Sequence, residues 1–400
     1  MTYTRYPSYY KVFRCIASAC SDSCCIGWEI DIDEDTLKKY HQVEGDFGKR
    51  LQENIQTFQE KGKECACFAM DETERCPFLN KENLCDIILN LGEEYLGQIC
   101  TDHPRYYDWF VDGQECGVGL CCEEAARLIL EGKEFRLVQE EVCQEEAYSG
   151  DNTEISDGLA DKNTLSDEQV HESLSEALPE ESEEREFEQK LFAMREELFS
   201  EISCKKEWSE TMNSLYDMAY QLQDEYDAWI FEEDEWADPE GETQGEFPTW
   251  EETFWQQEFL AELLDFYLDL EINKEQWRKW VQEAKEQIPQ ILSWRASFEE
   301  NHQELSSQYK QLLCYFVYRH FMSARQDDEV AEKVIFALIS TSVIEFFGIW
   351  TLLQSGKDKF TLEQQIAICK MYSQEIEYHE ENMNKVAGCM KFLEQRTSDL

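Results

Sequence analysis

The chain has 400 residues, of which 42% are hydrophobic and 13% aromatic, so it can bury the cores of two or three domains. Acidic residues outnumber basic ones by 87 to 36, which gives a formal net charge of -51 at neutral pH. Because nucleic acids and anionic membranes are polyanions, this charge argues against both as partners and favours a basic protein segment.

The first residues lack the apolar stretch of a signal peptide, so we expect a cytoplasmic protein. Thiols stay reduced in that compartment, where clustered cysteines bind metal or do chemistry more often than they form disulfides. The chain has 17 cysteines, an odd number that also argues against a scaffold built on disulfides alone. The sequence therefore favours a metal site or reactive thiols.

Composition divides the chain into three regions. Residues 1–138 are dense in cysteine, and we expect an irregular cysteine-rich metal-binding module there. Residues 139–186 are highly acidic and poor in hydrophobic residues, which predicts a disordered linker, because little apolar surface is available to offset the ordering entropy. Residues 187–400 follow a helical pattern, with an acidic loop near 224–252. The predicted fold is therefore mainly α, with the module followed by a helical bundle.

Local patterns predict several elements. Apolar and polar residues alternate at 28–33, as in a short strand, and Asp35 is placed to cap a helix that begins near Thr36. A further helix is expected from Glu123 to Leu130. The last part of the chain has no proline, so long helices are expected at residues 309–323, 330–353 and 361–395.

The longest apolar run, residues 334–353, nearly reaches the length of a membrane span. Glu345 lies inside it, and a charge near the centre of a bilayer is costly. We therefore expect a buried helix of the bundle and no membrane partner.

Four thiols, those of Cys15, Cys20, Cys24 and Cys25, are close enough along the chain for a short loop to wrap one cation. Thiolates suit zinc and iron, and an iron–sulfur cluster takes four of them. Metal sites are often completed by later cysteines, and here these are Cys76, Cys85, Cys100, Cys121 and Cys122.

The other cysteines are less informative. Cys65, Cys67, Cys116 and Cys122 fit either a metal site or simple packing. The scattered cysteines of the acidic and helical regions are expected to pack as small hydrophobic side chains; they are Cys143, Cys204, Cys314, Cys369 and Cys389. His103 is either a ligand, a donor to a ligand, or a structural histidine.

The ordered run of motifs resembles the flagellin lysine-N-methylase family. It consists of the cysteines at 15–25 with Gly27, then Cys76-Pro77-Phe78-Leu79, Cys85, Leu91-Gly92-Glu93-Glu94, Cys100, Pro104-Arg105 and Cys121 with Glu123-Glu124-Ala125-Ala126-Arg127. Similarity returns at residues 315–319 and 372–382. Two positions depart from the family pattern: His103 stands where tyrosine is usual, and Cys122 where proline is usual.

The resemblance implies transfer of methyl groups from S-adenosylmethionine to surface lysines of flagellin. It also implies a [4Fe–4S] cluster, with zinc as the alternative metal. The candidate ligands are the cysteines at family positions, namely Cys15, Cys20, Cys24, Cys25, Cys76, Cys85, Cys100 and Cys121. The S-adenosylmethionine site is not identified: Gly27 stands where a Cys-x3-Cys-x2-Cys triplet would have its third cysteine.

A lysine ammonium must lose its proton before its nitrogen can attack a methyl sulfonium. Carboxylates near the cysteines could bind the cation and accept that proton; the candidates are Glu93, Glu94, Asp102 and Glu123. Aromatic side chains could hold a methylated lysine by cation–π contact, although such residues are more often core; these are Trp28, Tyr106, Tyr107 and Trp109.

Two other functions remain open at this point. A non-catalytic protein that binds iron or zinc, or that senses redox state, needs the same cysteines but no S-adenosylmethionine site. An acidic scaffold with structural zinc would hold a basic partner by charge, so salt would weaken binding. The oligomeric state is not predicted.

Overall fold

A computed structural model of the chain describes residues 2–27, 29–60, 63–142, 179–204, 206–231, 248–356 and 359–389. The fold is mainly helical, as predicted, but its first third also contains strands. The strands are β1 (Thr2–Pro7), β2 (Ile55–Glu60), β3 (Lys63–Phe68), β4 (Arg105–Phe110), β5 (Gly113–Val118) and β6 (Leu137–Val142). The helices of this part are α1 (Glu34–His41), α2 (Gly45–Glu53), α3 (Asp86–Leu91), α4 (Gln98–Asp102) and α5 (Glu123–Leu130).

The strands form a four-stranded sheet of order β4-β5-β1-β6 and a separate β2-β3 hairpin. Strand β1 pairs parallel to β5 and antiparallel to β6, from Thr2 opposite Val142 to Pro7 opposite Leu137. The prediction of an irregular first region was therefore wrong. Both partners of β1 lie more than 100 residues further along the chain, so no local sequence pattern predicts the sheet.

Three local predictions have different outcomes. The helix from Glu123 to Leu130 is confirmed as α5. The helix near Thr36 is also confirmed, but its cap is Asp33, whose carboxylate accepts a hydrogen bond from the Thr36 N–H, and not Asp35. The strand predicted at 28–33 is reduced to an isolated bridge between Asp31 and Cys67. Residue 28 lies outside the described residues.

The rest of the described chain is helical. It comprises α6 (Pro179–Ser203), α7 (Trp208–Ile230), α8 (Trp250–Phe254), α9 (Gln257–Asp269), α10 (Glu275–Glu286), α11 (Ile288–Asn301), α12 (Leu305–His320), α13 (Val330–Ser355), α14 (Leu362–Tyr372), a π-helical turn (Ser373–Glu377) and α15 (Glu380–Ala387). The first two long helices predicted after the last proline are confirmed as α12 and α13. The third is broken at the π-helical turn, and residues beyond 389 lie outside the description.

The predicted linker and loop are partly structured. Residues 139–142 belong to β6 and residues 179–186 to α6, while 143–178 lie outside the described residues. In the predicted acidic loop, residues 224–230 complete α7 and 250–252 begin α8, and 232–247 lie outside the description.

Helix α13 runs through the larger of two hydrophobic cores. In the part of the chain that the structure describes, it is the one helix long and apolar enough to cross a membrane, but 94% of its most apolar window is buried by protein. This agrees with the expectation of a core helix. The smaller core packs α1–α3 against the hairpin, around Phe68 and Phe78. We call residues 24–102 the cysteine lobe and the remainder of the described chain the body.

Candidate functional site

Cys100 lies within the electrostatic range of three other cysteines of the cysteine lobe, Cys24, Cys76 and Cys85, and we call these four the lobe thiols. Cys76 lies in the small core, against which Cys85 and Cys100 pack half-buried. Backbone contacts join the loops that carry these cysteines. The Cys76 N–H donates to the Cys25 carbonyl at 2.9 Å, and Leu79 forms an antiparallel bridge with Cys85. Segments far apart in sequence are thus brought to one place.

The lobe thiols lie within each other's electrostatic field. Burial raises the pKa of Cys100 to about 12, and the neighbouring sulfurs of Cys76, Cys85 and Cys24 raise it further. Burial likewise raises the pKa of Cys76 to about 11, with Cys85 contributing. A hydrogen bond with Cys25 is the main cause that raises the pKa of Cys24. Neighbouring sulfurs therefore oppose ionisation of Cys76 and Cys100.

The other predicted ligands are placed differently. Cys15 is exposed, and its sulfur accepts a hydrogen bond from the Ala17 N–H at 3.4 Å. Cys20 Sγ lies 3.8 Å from a carboxylate oxygen of Glu123. Cys121 is buried in the body, where it is hydrogen-bonded to Tyr378. The eight predicted cysteines therefore do not form one group.

Among the described side chains, no three of His, Cys, Asp or Glu are arranged as a ready metal site. The chemistry of the lobe thiols nonetheless fits a thiophilic ion. Burial and neighbouring sulfurs raise the pKa of Cys76 and Cys100, and a cation would relieve both the burial penalty and the repulsion between thiolates. A zinc ion and an iron–sulfur cluster both bind thiolates, so the lobe thiols fit either of them.

A cleft of about 670 Å³ opens beside the thiols, between the cysteine lobe and the body. Four carboxylates line it, together with two aromatic rings, His103 and one cation, Arg105. The carboxylates are those of Asp31, Asp33, Glu34 and Asp102, and the rings are those of Phe58 and Tyr378. Acidic groups beside aromatic faces suit a cationic side chain.

Asp33 joins α1 to α4 at the floor of this cleft. Burial raises its pKa, but hydrogen bonds from the N–H groups of Gln98 and Thr36, both at 2.9 Å, bring it below its ordinary value. Burial, reinforced by Arg319, lowers the pKa of His103 to about 4. At neutral pH the cleft therefore holds anionic carboxylate beside a neutral imidazole.

A buried polar network stands behind the cleft. Arg319 lies between the rings of Tyr106 and Tyr378, 4.7 and 4.8 Å from their centroids, and donates to the Tyr315 hydroxyl at 2.6 Å. That hydroxyl also accepts from the Leu120 N–H at 2.9 Å. The three motif segments at residues 118–127, 315–319 and 372–382 thus meet in space.

Glu377 is the anion of this network, and it belongs to the π-helical turn. Its carboxylate lies 2.8 Å from His320 Nε2 and 3.6 Å from Arg319 Nη1. Burial raises its pKa, but Arg319 and His320 lower it below the ordinary value. The π-helical turn brings both Glu375 and Glu377 into the interior, and such turns often mark functional positions.

An ionic contact, which we call the Lys370 clamp, fixes the first cysteine loop to the body. The buried Lys370 Nζ lies 3.6 Å from the Asp22 carboxylate and 3.5 Å from that of Glu123. Glu123 also accepts from the Ser21 N–H at 3.0 Å. Cys20 and Cys24 are therefore held beside the start of α5.

Of the other sequence candidates, Asp102 lines the cleft, and Glu123 serves the clamp. Glu93 and Glu94 are exposed on a turn. The remaining candidates do not form a pocket: Tyr106 packs on Arg319, Tyr107 and Trp109 lie side by side on β4, and Trp28 is outside the described residues. The pattern of the sequence alone did not indicate Tyr378, Arg319 or Lys370 as residues of the site. Two of them lie in the later family motifs, Arg319 in residues 315–319 and Tyr378 in residues 372–382.

The molecule is thus a two-lobed, mainly helical protein with a thiol-rich lobe and an acidic cleft. Residues 234–399 match the model of the FliB lysine N-methylase C-terminal domain. The flagellar biosynthetic protein FliU of Salmonella muenchen is 29% identical over 126 residues, which are 31% of this chain and 75% of that protein. The lysine-N-methylases of Salmonella typhimurium and Salmonella choleraesuis are each 25% identical over 145 residues.

These matches support the resemblance to the flagellin lysine-N-methylase family that the motifs of the sequence indicated. The aligned part is 36% of this chain and 36% of each lysine-N-methylase, so it spans about a third of those relatives. No solved structure matches the chain.

Proposed function

We propose that the chain is a protein-lysine N-methyltransferase that takes methyl groups from S-adenosylmethionine and acts on surface lysines of flagellin in the cytoplasm. Similarity to the lysine-N-methylase family supports the reaction, and the flagellar name of one relative supports the substrate. The observation that carries the proposal is the cleft, where four carboxylates and two aromatic rings surround an opening of about 670 Å³.

The cleft can perform two steps of such a reaction. The carboxylates of Asp31 and Asp102 attract the lysine ammonium, and one of them takes its proton and passes it to solvent. The freed nitrogen attacks the methyl carbon, the carbon–sulfur bond breaks, and its electron pair stays on sulfur as S-adenosylhomocysteine leaves. The ring of Tyr378 stabilises the methylated cation.

We further propose that the lobe thiols hold a [4Fe–4S] cluster, with zinc as the alternative. Cys76, Cys85, Cys100 and Cys24 are the members of the predicted ligand set that share one neighbourhood. When bound, the metal centre would keep these sulfurs as thiolates and so fix the lobe beside the cleft. Iron and sulfide analysis of protein purified without oxygen tests this: iron with matching sulfide supports the cluster, and zinc without sulfide supports the alternative.

The reaction is tested by incubating the anaerobically purified chain with S-adenosylmethionine and unmethylated flagellin. Mass spectrometry should find added mass of one or more methyl groups on flagellin lysines. The double variant Asp31→Asn with Asp102→Asn should lose at least about tenfold in rate, whereas Asp35→Asn, on the exposed face of α1, should not. Failure of metal-loaded protein to methylate any flagellin lysine would reject the proposal.

A second function, metal binding or redox sensing without catalysis, is favoured by the adjacent, hydrogen-bonded thiols of Cys24 and Cys25. It predicts metal uptake without binding of S-adenosylmethionine. Isothermal titration with S-adenosylmethionine separates the two functions, because only the methylase gives a saturable heat.

A further inference from the structure

Arg105 is the one cation among the described side chains that line the cleft, and no described carboxylate pairs with it. It is the first residue of β4, on the body side of the opening. Its guanidinium lies 5.1 Å from the centre of the Phe13 ring, and its Nη1 donates to the Thr101 carbonyl at 3.3 Å. Phe13 belongs to the body and Thr101 to the cysteine lobe, so the guanidinium lies where the two meet. Most of its N–H donors have no partner in the described chain.

Three of the four carboxylates in the cleft are engaged elsewhere. Asp33 accepts hydrogen bonds from backbone N–H groups at the starts of α1 and α4. Glu34 lies 2.8 Å from Lys38 Nζ on the surface of α1, and Asp102 accepts a hydrogen bond from Gln98 Nε2 at 2.6 Å. The cleft therefore does not use its own anions to neutralise its one cation.

The fourth carboxylate, that of Asp31, is exposed and has no hydrogen bond or ion pair with another described side chain. The cleft thus offers an unpaired anion together with the unpaired guanidinium of Arg105. A lysine side chain needs the anion but has no group for a guanidinium. S-adenosylmethionine has such a group, because its methionine part carries a carboxylate, and carboxylates pair with arginine through two parallel hydrogen bonds.

We propose that Arg105 binds the carboxylate of the methyl donor, which places S-adenosylmethionine in the same cleft as the lysine. The inference rests on the proposed function and names the place of its methyl donor. The volume of about 670 Å³ is within the range of pockets that hold small molecules. The Phe13 ring and the Thr101 carbonyl hold the guanidinium in place before the donor arrives, so little freedom is lost on binding.

Decarboxylated S-adenosylmethionine is the probe, because it keeps the adenosine, the sulfonium and the amine of the donor but lacks the carboxylate. The anaerobically purified full chain is titrated calorimetrically with each compound, as wild type and as Arg105→Gln. Wild type should bind S-adenosylmethionine at least about tenfold more tightly than the decarboxylated compound, because it alone makes the charged hydrogen bonds. Arg105→Gln should bind both compounds as weakly as wild type binds the decarboxylated one.

Arg14→Gln is the matched control, because Arg14 donates to backbone carbonyls only, has no ion pair with a described residue, and does not line the cleft. It should bind like wild type, and circular dichroism checks the fold of both variants. The proposal is overturned if Arg105→Gln weakens binding of both compounds equally, which a structural role would do. It is also overturned if the variant keeps a tenfold preference, or if wild type shows none or binds neither compound.

Methylation of flagellin is measured separately with the same proteins. Binding that depends on Arg105 and on the carboxylate, without any methyl transfer, would reject only the methylase function. Methylation by wild type together with an unchanged preference in Arg105→Gln would reject only the role of Arg105.

Discussion

The guanidinium of Arg195 donates two hydrogen bonds to the carboxylate of Glu115, at 2.7 and 2.5 Å, and both side chains are buried. Arg195 also donates to the Tyr318 carbonyl at 3.3 Å. One side chain of α6 therefore joins β5, which precedes the acidic segment, to α12, which lies far beyond it.

Arg195→Ala should destabilise the chain by about 3–5 kcal/mol, because it leaves the buried Glu115 carboxylate with only the longer contact to Arg5, at 3.4 Å. Urea unfolding followed by circular dichroism measures the loss. Arg136→Ala breaks an exposed pair with Glu134 and should cost less than about 1 kcal/mol. Equal effects of the two substitutions would mean that the buried pair is not what ties α6 to the sheet.

Replacement of residues 143–178 by a short glycine–serine linker should leave stability within about 1 kcal/mol of wild type. The segment is acidic and poor in hydrophobic residues, and the closure entropy of a loop changes slowly with its length. Removal of 139–186 should cost much more, because it takes four of the six residues of β6 and the start of α6. Thermal unfolding of both deletions tests the contrast, and a strongly destabilised short deletion would show that 143–178 contributes to the fold.

Glu345 should make the chain less stable as pH rises. Burial raises its pKa to about 8, against about 4.3 for an ordinary glutamate, so the folded state keeps a proton that the unfolded state releases. The stabilisation is complete below about pH 4 and is lost as pH passes 8, with a slope of at most about 1.4 kcal/mol per pH unit.

Glu345→Gln tests this slope, because glutamine copies the neutral carboxyl and can still accept the hydrogen bond from Trp208 Nε1. Between pH 5 and 8 wild type should lose up to about 4 kcal/mol more than the variant in urea unfolding. Glu300→Gln, at an exposed site on α11, should behave as wild type. Parallel pH curves for wild type and Glu345→Gln would mean that Glu345 is ionised in the fold.

Lys370→Met should loosen the first cysteine loop, because Asp22 and Glu123 would lose the cation that they share and only Lys274, 4.0 Å from Asp22, would remain nearby. Hydrogen–deuterium exchange of peptides covering residues 16–25 should quicken by about tenfold, which is about 1.4 kcal/mol of lost protection. Lys385→Met removes an exposed pair with Glu381 and should leave that exchange unchanged. Unaltered exchange in Lys370→Met would show that the loop is held by other contacts.

Features with a local signal were predicted well from the sequence. Helix α5 was predicted with its true bounds, and the glutamate inside the apolar run correctly indicated a helix buried in protein. The cap of α1 was misplaced by two residues, because Asp33 and Asp35 have the same chemistry and only the backbone geometry distinguishes them.

Features that depend on distant segments were not predicted. Strand β1 has no partner within 100 residues, and the cleft combines Asp31 with Asp102 and Tyr378, which come from three separate parts of the chain. The run of cysteines indicated a thiol site, but which sulfurs face each other depends on the folding of the loops.

The strand order β4-β5-β1-β6 has a consequence for synthesis on the ribosome. Residues 2–7 leave the ribosome early, yet the strands on either side of β1 end at residues 118 and 142. The sheet cannot close until both have emerged, which at ordinary translation rates is about ten seconds or more later. During that interval β1 exposes two unpaired edges, so this first stretch of the nascent chain is where a chaperone would act.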